Sequence, residues 1–312
     1  MGTIAQPRAT RLRDRVWFHI ETLIEAVRTF GRHSPMQLAA ALSYYTLLSL
    51  APLVLVSVAI AGLLFGRDAV EGQLVDELSG LMGTAGAELV QTVLRHASHE
   101  ETGIVSLAVG LVSLLIGATT VFVQLQYAVN QIWKVETHPN GGDGVIRRLM
   151  KKRLLSIAMV LAVGFLLLVS LVLSAALSAL GKWAAETGVG TTFPIVLQAV
   201  DSLMSLAVVT LLFAMLFRFL PDVELWWGDV WSGALLTALL FTLGKYLIGY
   251  YLGRAGIGSA YGAAGSVVVF LVWVYYAALI LFFGFKLTRV RTERRRGRAA
   301  PEEHAVSVES RG

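Results

Sequence analysis

Apolar residues gather into long blocks along the chain, and most of the charge falls between those blocks. Six blocks reach the roughly 20 helical residues that cross about 30 Å of hydrocarbon. They cover approximately residues 37–65, 104–127, 154–180, 202–220, 230–252 and 263–287. The fourth and fifth are joined by the short link RFLPDVELWWGD. Pro221 predicts a break there, because proline lacks the amide donor and disfavours helix at the residue before it. The pattern predicts an all-α polytopic membrane protein with six transmembrane helices.

The segments outside these blocks have a different character. Residues 1–15 read as a disordered basic N-terminus. Over residues 16–33, Val16, Trp17, Ile20, Leu23, Ile24, Val27 and Phe30 recur at helical spacing against Arg15, His19, Glu21, Glu25 and Arg28. This predicts an amphipathic helix lying in the membrane interface. Ser34-Pro35 fits a turn before the first span. A six-helix membrane domain is expected over 34–290, and its outer loop, 67–102, carries two short amphipathic helices broken around Gly83 and Gly86. HPNGGDG reads as a flexible turn, and residues 291–312 as a disordered basic tail. No internal repeat stands out.

Composition supports the membrane reading: 56% of the residues are hydrophobic, 15% are charged, and the mean hydropathy is +0.68. The net charge of +5 sits where orientation is set. Arginines crowd the N-terminal segment, lysines and arginines the loop around Lys134–Arg153, and a further cluster the tail, while the first loop is acidic. Both termini are therefore expected on the cytoplasmic side, and the charge gives little reason to expect nucleic-acid binding. No cleavable signal peptide is visible, so the first span would act as the insertion signal. Without cysteine there is no disulfide framework, thiolate metal site or cysteine nucleophile.

Polar groups inside spans are costly, so each raises a question of function. In the first span Ser43, Tyr44, Tyr45, Thr46 and Ser49 precede Pro52, which removes one helical hydrogen bond and predicts a kink. These residues either line a cavity or repair the kink and pack. In the second span Gln124, Tyr127, Ala128 and Gln131 share one helical face, with Gln126 and Asn130 on a neighbouring stripe. They either lock helices together or form a polar vestibule. Trp133 fits an interfacial anchor. Ser170, Ser174 and Ser178, and the pair Gly249 and Gly253, have the spacing of close helix packing. Lys245 lies roughly 10 Å below the outer end of the fifth span, where it would snorkel outward, pair with Asp201 or meet an anionic head group.

Soluble enzyme chemistry gains little support. The cluster RHASHEE offers His96 and His99 without further committed ligands, so a solvated helix end is expected rather than a metal site. There is no metalloprotease, phosphate-loop, nucleophile-elbow or dinucleotide motif. No cofactor is expected.

Four stretches together carry a resemblance: AAALSYYTLLSLAPL, GATTVFVQLQYAVNQIW, FRFLPDVELWWGDVWSGALLTALLFTLGKYLIGYYLGR and SAYGAAGSVVVFLVWVYYAALILFFGFKLTRV. Over residues 36–290 the chain resembles the YihY/BrkB family of bacterial inner-membrane proteins. The resemblance implies six helices with both termini cytoplasmic, and it implies no settled activity. A ribonuclease label attached to the family fits this chain poorly, since the cytoplasmic loops offer only His138 and Asp143 with scattered lysines. Two positions depart from the family pattern. Lys286 stands where an acidic residue is usual, and Tyr127 occupies a place that is often acidic, which puts in doubt any mechanism using those carboxylates.

The expected function is that of a transporter or lipid-translocating protein for an amphipathic, anionic envelope component. The alternative is a non-transporting scaffold in envelope biogenesis. Expected partners are membrane lipids, anionic ones included, with homo-oligomerisation or envelope proteins as further partners. The candidate contacts are Ser43, Tyr44, Tyr45, Ser49, Pro52, Gln124, Gln126, Asn130, Gln131, Asp201 and Lys245.

Overall fold

A computed structural model describes residues 8–65, 72, 75, 88–89, 91–92, 104–137, 180, 192–254, 264–297, 299–301 and 305–307. The α-helices among them are α1 (Arg8–Phe30), α2 (Pro35–Phe65), α3 (Ile104–Trp133), α4 (Thr192–Phe219), α5 (Trp227–Arg254) and α6 (Gly265–Arg296). Two short strands, β1 (Val135–Thr137) and β2 (Ala305–Ser307), form an antiparallel pair.

Among the described residues, three helical segments are long and apolar enough to cross a membrane: Val196–Phe219, Trp227–Ile248 and Gly265–Arg296. They coincide with the expected fourth, fifth and sixth spans. Helices α2 and α3 cover the first and second expected spans with 31 and 30 residues. The expected third span, the outer helices and the HPNGGDG turn lie outside the described residues, apart from isolated helical positions such as Glu88 and Thr92. The break at Pro221 is present: α4 ends at Phe219 and α5 begins at Trp227.

Helix α5 shows how such a segment meets its surroundings. Leu235, Leu239, Leu243 and Leu247 recur on its exposed side, with Trp227 and Trp231 exposed near one end and Tyr246, Tyr250 and Tyr251 near the other. From Trp231 to Tyr250 the helix rises roughly 30 Å, the thickness of the hydrocarbon layer. Leucines outside and aromatics at both ends are what a lipid-facing helix requires.

Helix α1 begins at Arg8, earlier than the expected start, because Arg, Ala and Leu in this stretch favour helix. It exposes the large apolar residues Trp17, Ile20, Leu23, Ile24 and Val27, while Thr22 and Ala26 are buried. A soluble amphipathic helix would turn its large apolar residues inward. The reversed arrangement suits a helix whose apolar side lies against acyl chains. After α1, Gly31–His33 makes one 3-10 turn and Ser34 takes the left-handed conformation (φ 48°, ψ 47°). The Ser34 carbonyl then accepts from the amides of Gln37 and Leu38, with Pro35 as the first residue of α2.

The C-terminal segment departs from the expectation of disorder after residue 290. Helix α6 continues to Arg296, and Val306 of β2 stands opposite Glu136 of β1. The Glu224 amide donates to the carbonyl of Ala300 at 2.9 Å, and Val223 bridges Pro301. A polar composition without periodicity reads as loop, yet these backbone groups find partners on segments distant in sequence. The same pairs add a small strand component to the all-α class.

Packing divides the chain into two units. The first holds Met1–Leu23, Trp133–Leu239 and Gly284–Gly312; the second holds Ile24–Ile132 and Leu240–Phe283. In the first, Phe217 of α4 meets Phe285 of α6 with ring centroids 4.4 Å apart, beside the buried Leu220, Leu225, Val230, Ala234 and Ala238. In the second, Phe270 and Val274 pack with Leu89, Leu47, Leu50 and Trp273. Gly244 there makes room for the ring of Tyr276.

Candidate functional site

In the first unit the start of α5 and the end of α6 meet through small residues. A Cβ on Gly233 would strike the hydroxyl of Thr288, and one on Gly284 would strike Thr237 and the ring of Phe217. Gly233 and Thr237 are one turn apart on α5, as Gly284 and Thr288 are on α6, so the two helices interlock in antiparallel sense. The Thr237 hydroxyl donates to the Gly233 carbonyl at 2.7 Å, and that of Thr288 to the Gly284 carbonyl at 2.9 Å. Both hydroxyls are thereby satisfied within their own helices, and the backbones approach closely.

This crossing places the last turn of α6 beside the first turn of α5. Asp229, almost fully buried, receives Arg295 at 3.4 Å and Arg296 at 3.5 Å. Arg295 also approaches the Gly228 carbonyl at 3.4 Å. The Arg296 guanidinium lies 4.9 Å from the Trp226 ring, and Arg294 pairs with Glu21 of α1 at 3.1 Å. A carboxylate at a helix start and guanidinium groups at a helix end each complement the helix dipole.

Between α1, α5 and α6 lies a cavity of about 270 Å³, lined by Ile20, Leu23, Leu236 and Leu287 together with Ser232 and Arg291. Its walls are largely apolar. Ser232 Oγ and Arg291 Nε are buried without a hydrogen-bond partner among the described residues. Each such group costs about 1–3 kcal/mol when left unpaired.

The residues singled out from the sequence distribute differently. In α2 the hydroxyls of Ser43, Thr46 and Ser49 donate to the carbonyls of Ala39, Leu42 and Tyr45 at 2.8–2.9 Å. Ser49 Oγ lies 2.7 Å from where a Cβ on Gly117 would stand, so at this point α2 and α3 are in close contact. Tyr44 is exposed and makes an edge contact with Tyr45. The helix continues through Pro52.

On α3 the amide stripe divides. Tyr127 and Gln131 are exposed and bonded to each other, Gln131 Nε2 donating to Tyr127 Oη at 2.9 Å. Asn130 is buried, whereas Gln124 and Gln126 are half-buried. Trp133, expected as an interfacial anchor, is buried, and its indole N–H has no partner among the described residues. Lys245 is half-buried, its ammonium 5.0 Å from the Tyr246 ring centroid. Asp201 is half-buried on α4, and Lys286 is buried on α6.

Sequence reading missed Ser232, Arg291 and Asp229. One signal was available: Gly-x-x-x-Thr occurs in both GALLT and GFKLT, the small-residue spacing that lets helices approach. It would have brought α5 against α6, and Arg291 and Asp229 with them.

The family described as Virulence factor BrkB matches residues 26–309. A UPF0761 membrane protein of Ralstonia nicotianae is 29% identical over 83% of this chain and 56% of its own length. One from Verminephrobacter eiseniae is 30% identical over 80% of this chain and 57% of its own. One from Pseudomonas paraeruginosa is 29% identical over 79% and 56%. The chain thus spans little more than half the length of these curated relatives. No solved structure matches it. With a match over most of its length and helices long and apolar enough to cross a bilayer, the chain belongs to the BrkB (UPF0761) family of integral membrane proteins.

Proposed function

We propose that the protein lies in the bacterial inner membrane as a six-span helical unit with both termini cytoplasmic, and that it moves or positions an anionic, amphipathic envelope lipid without catalysing a reaction. The observation that carries this reading is Lys245, a half-buried cation on a helix of membrane-crossing length. A charge held in a span is expensive, and serving an anionic substrate is one of its few uses. The basic flanks add attraction for anionic head groups.

Reconstitution into vesicles with labelled phosphatidylglycerol or phosphatidylcholine tests this. Faster exchange of the anionic lipid between leaflets is expected, reduced by Lys245→Met and retained in Lys245→Arg. Equal exchange in empty vesicles and in vesicles containing the protein would overturn it.

A second reading, a scaffold that organises envelope machinery, is favoured by the closed contact at Ser49 and Gly117 and by the hydroxyls of Ser43, Thr46 and Ser49 turned onto their own helix. A scaffold predicts stable protein partners on cross-linking in native membranes and indifference to Lys245→Met.

A further inference from the structure

The cavity between α1, α5 and α6 joins an apolar lining to polar atoms without hydrogen-bond partners among the described residues. Its walls are largely aliphatic, from Ile20, Leu23, Leu236 and Leu287, with His19, Thr22, Ser232 and Arg291 completing the lining, and the unpartnered atoms are Ser232 Oγ and Arg291 Nε. Helix α1 contributes Ile20 and Leu23 while exposing Trp17, Ile24 and Val27, the face suited to acyl chains. Asp229, paired with Arg295 at 3.4 Å, also acts on the Arg291 guanidinium but leaves Arg291 Nε without a hydrogen bond. On the topology proposed above, this site opens at the cytoplasmic leaflet.

We infer that the cavity is a binding site for one anionic phospholipid of the cytoplasmic leaflet, its phosphodiester facing Arg291 and Ser232 and the first part of an acyl chain lying between Ile20, Leu23, Leu236 and Leu287. About 270 Å³ falls just below the roughly 300–1,000 Å³ of small-molecule sites, so the cavity holds a segment of the lipid and leaves the rest in the bilayer. Guanidinium is suited to this task because its planar donors match phosphate and it is weakly hydrated. The inference rests on the membrane topology and lipid chemistry of the proposed function, and it adds a site that Lys245 does not share.

Native mass spectrometry of the delipidated full chain tests it, with phosphatidylglycerol and phosphatidylcholine as probes. Selective retention of one phosphatidylglycerol is expected, weakened about tenfold in Arg291→Gln by loss of a charged hydrogen bond. Leu236→Trp, which fills the cavity, should abolish retention while leaving the charge in place. Size-exclusion profiles confirm that each variant is folded, and Arg291→Lys serves as a second variant with partial retention. Inorganic phosphate at millimolar concentration should not displace the lipid.

Unchanged retention in both Arg291→Gln and Leu236→Trp would overturn the site, as would displacement by inorganic phosphate. Selective retention without lipid exchange in vesicles leaves this site standing and overturns translocation. Exchange without selective retention overturns this site alone.

Discussion

Gly284 of α6 lies so close to Thr237 of α5 that a single methyl group at position 284 would overlap the threonine hydroxyl. One turn away the roles reverse, with Gly233 of α5 against Thr288 of α6. In lipid, helices gain little from burying leucine against leucine, so close packing of small residues does much of the work of association. The crossing also positions Asp229 and Arg291, which lie four residues before Gly233 and three beyond Thr288 in the sequence.

Substitution at this crossing should separate its two halves. Gly233→Ala should cost about 1–3 kcal/mol by overpacking, and Thr288→Ala in the same chain should recover most of it, because Thr288 carries the close contact. Gly284→Ala should be recovered only in part by Thr237→Ala, since the Phe217 ring still stands in the way. Thermal unfolding of the four single and two double variants in detergent checks both cycles.

Asp229→Asn removes the charge that Arg295 and Arg296 share. The arginines are partly exposed, so solvent screening limits the loss to about 1 kcal/mol, although the carboxylate itself is buried. The unfolding midpoint should fall, and added salt should narrow the gap between variant and parent. A salt series on both proteins measures this.

Val306→Pro removes a backbone donor from β2 and disfavours pairing with β1. Val306 stands opposite Glu136, so the end of the chain should come away from 135–137. Limited proteolysis should then cut the C-terminal segment about tenfold faster, following the greater population of the open form, with little change in the helices. Equal cutting in variant and parent would show that the strand pair does not hold the tail.

Because the chain has no cysteine, topology can be read with single introduced thiols. Gln91→Cys should react with an impermeant maleimide in spheroplasts, whereas Lys152→Cys and Arg298→Cys should react only after lysis. The lysine and arginine distribution across short loops is the reason for this expectation. Labelling of Lys152→Cys in intact spheroplasts would reverse the second loop.

The sequence by itself determined the membrane class and the helical character of the chain. Long apolar blocks have few other outcomes, since backbone groups in lipid must be satisfied within the segment. It also determined the break at Pro221 and the turn at Ser34 and Pro35, both of which depend on neighbours a few residues away. Only the tertiary structure decided what the polar residues do. The hydroxyls of Ser43, Thr46 and Ser49 bond to their own backbone, Gln131 turns to Tyr127, and Ser232 and Arg291 come together though 59 positions apart in the numbering. Likewise the strand pair of Val135–Thr137 with Ala305–Ser307 is a non-local contact that no local pattern announces. Spacing along a helix says which residues share a face; which face meets which neighbour is decided by the close approach of α5 and α6 at their glycines.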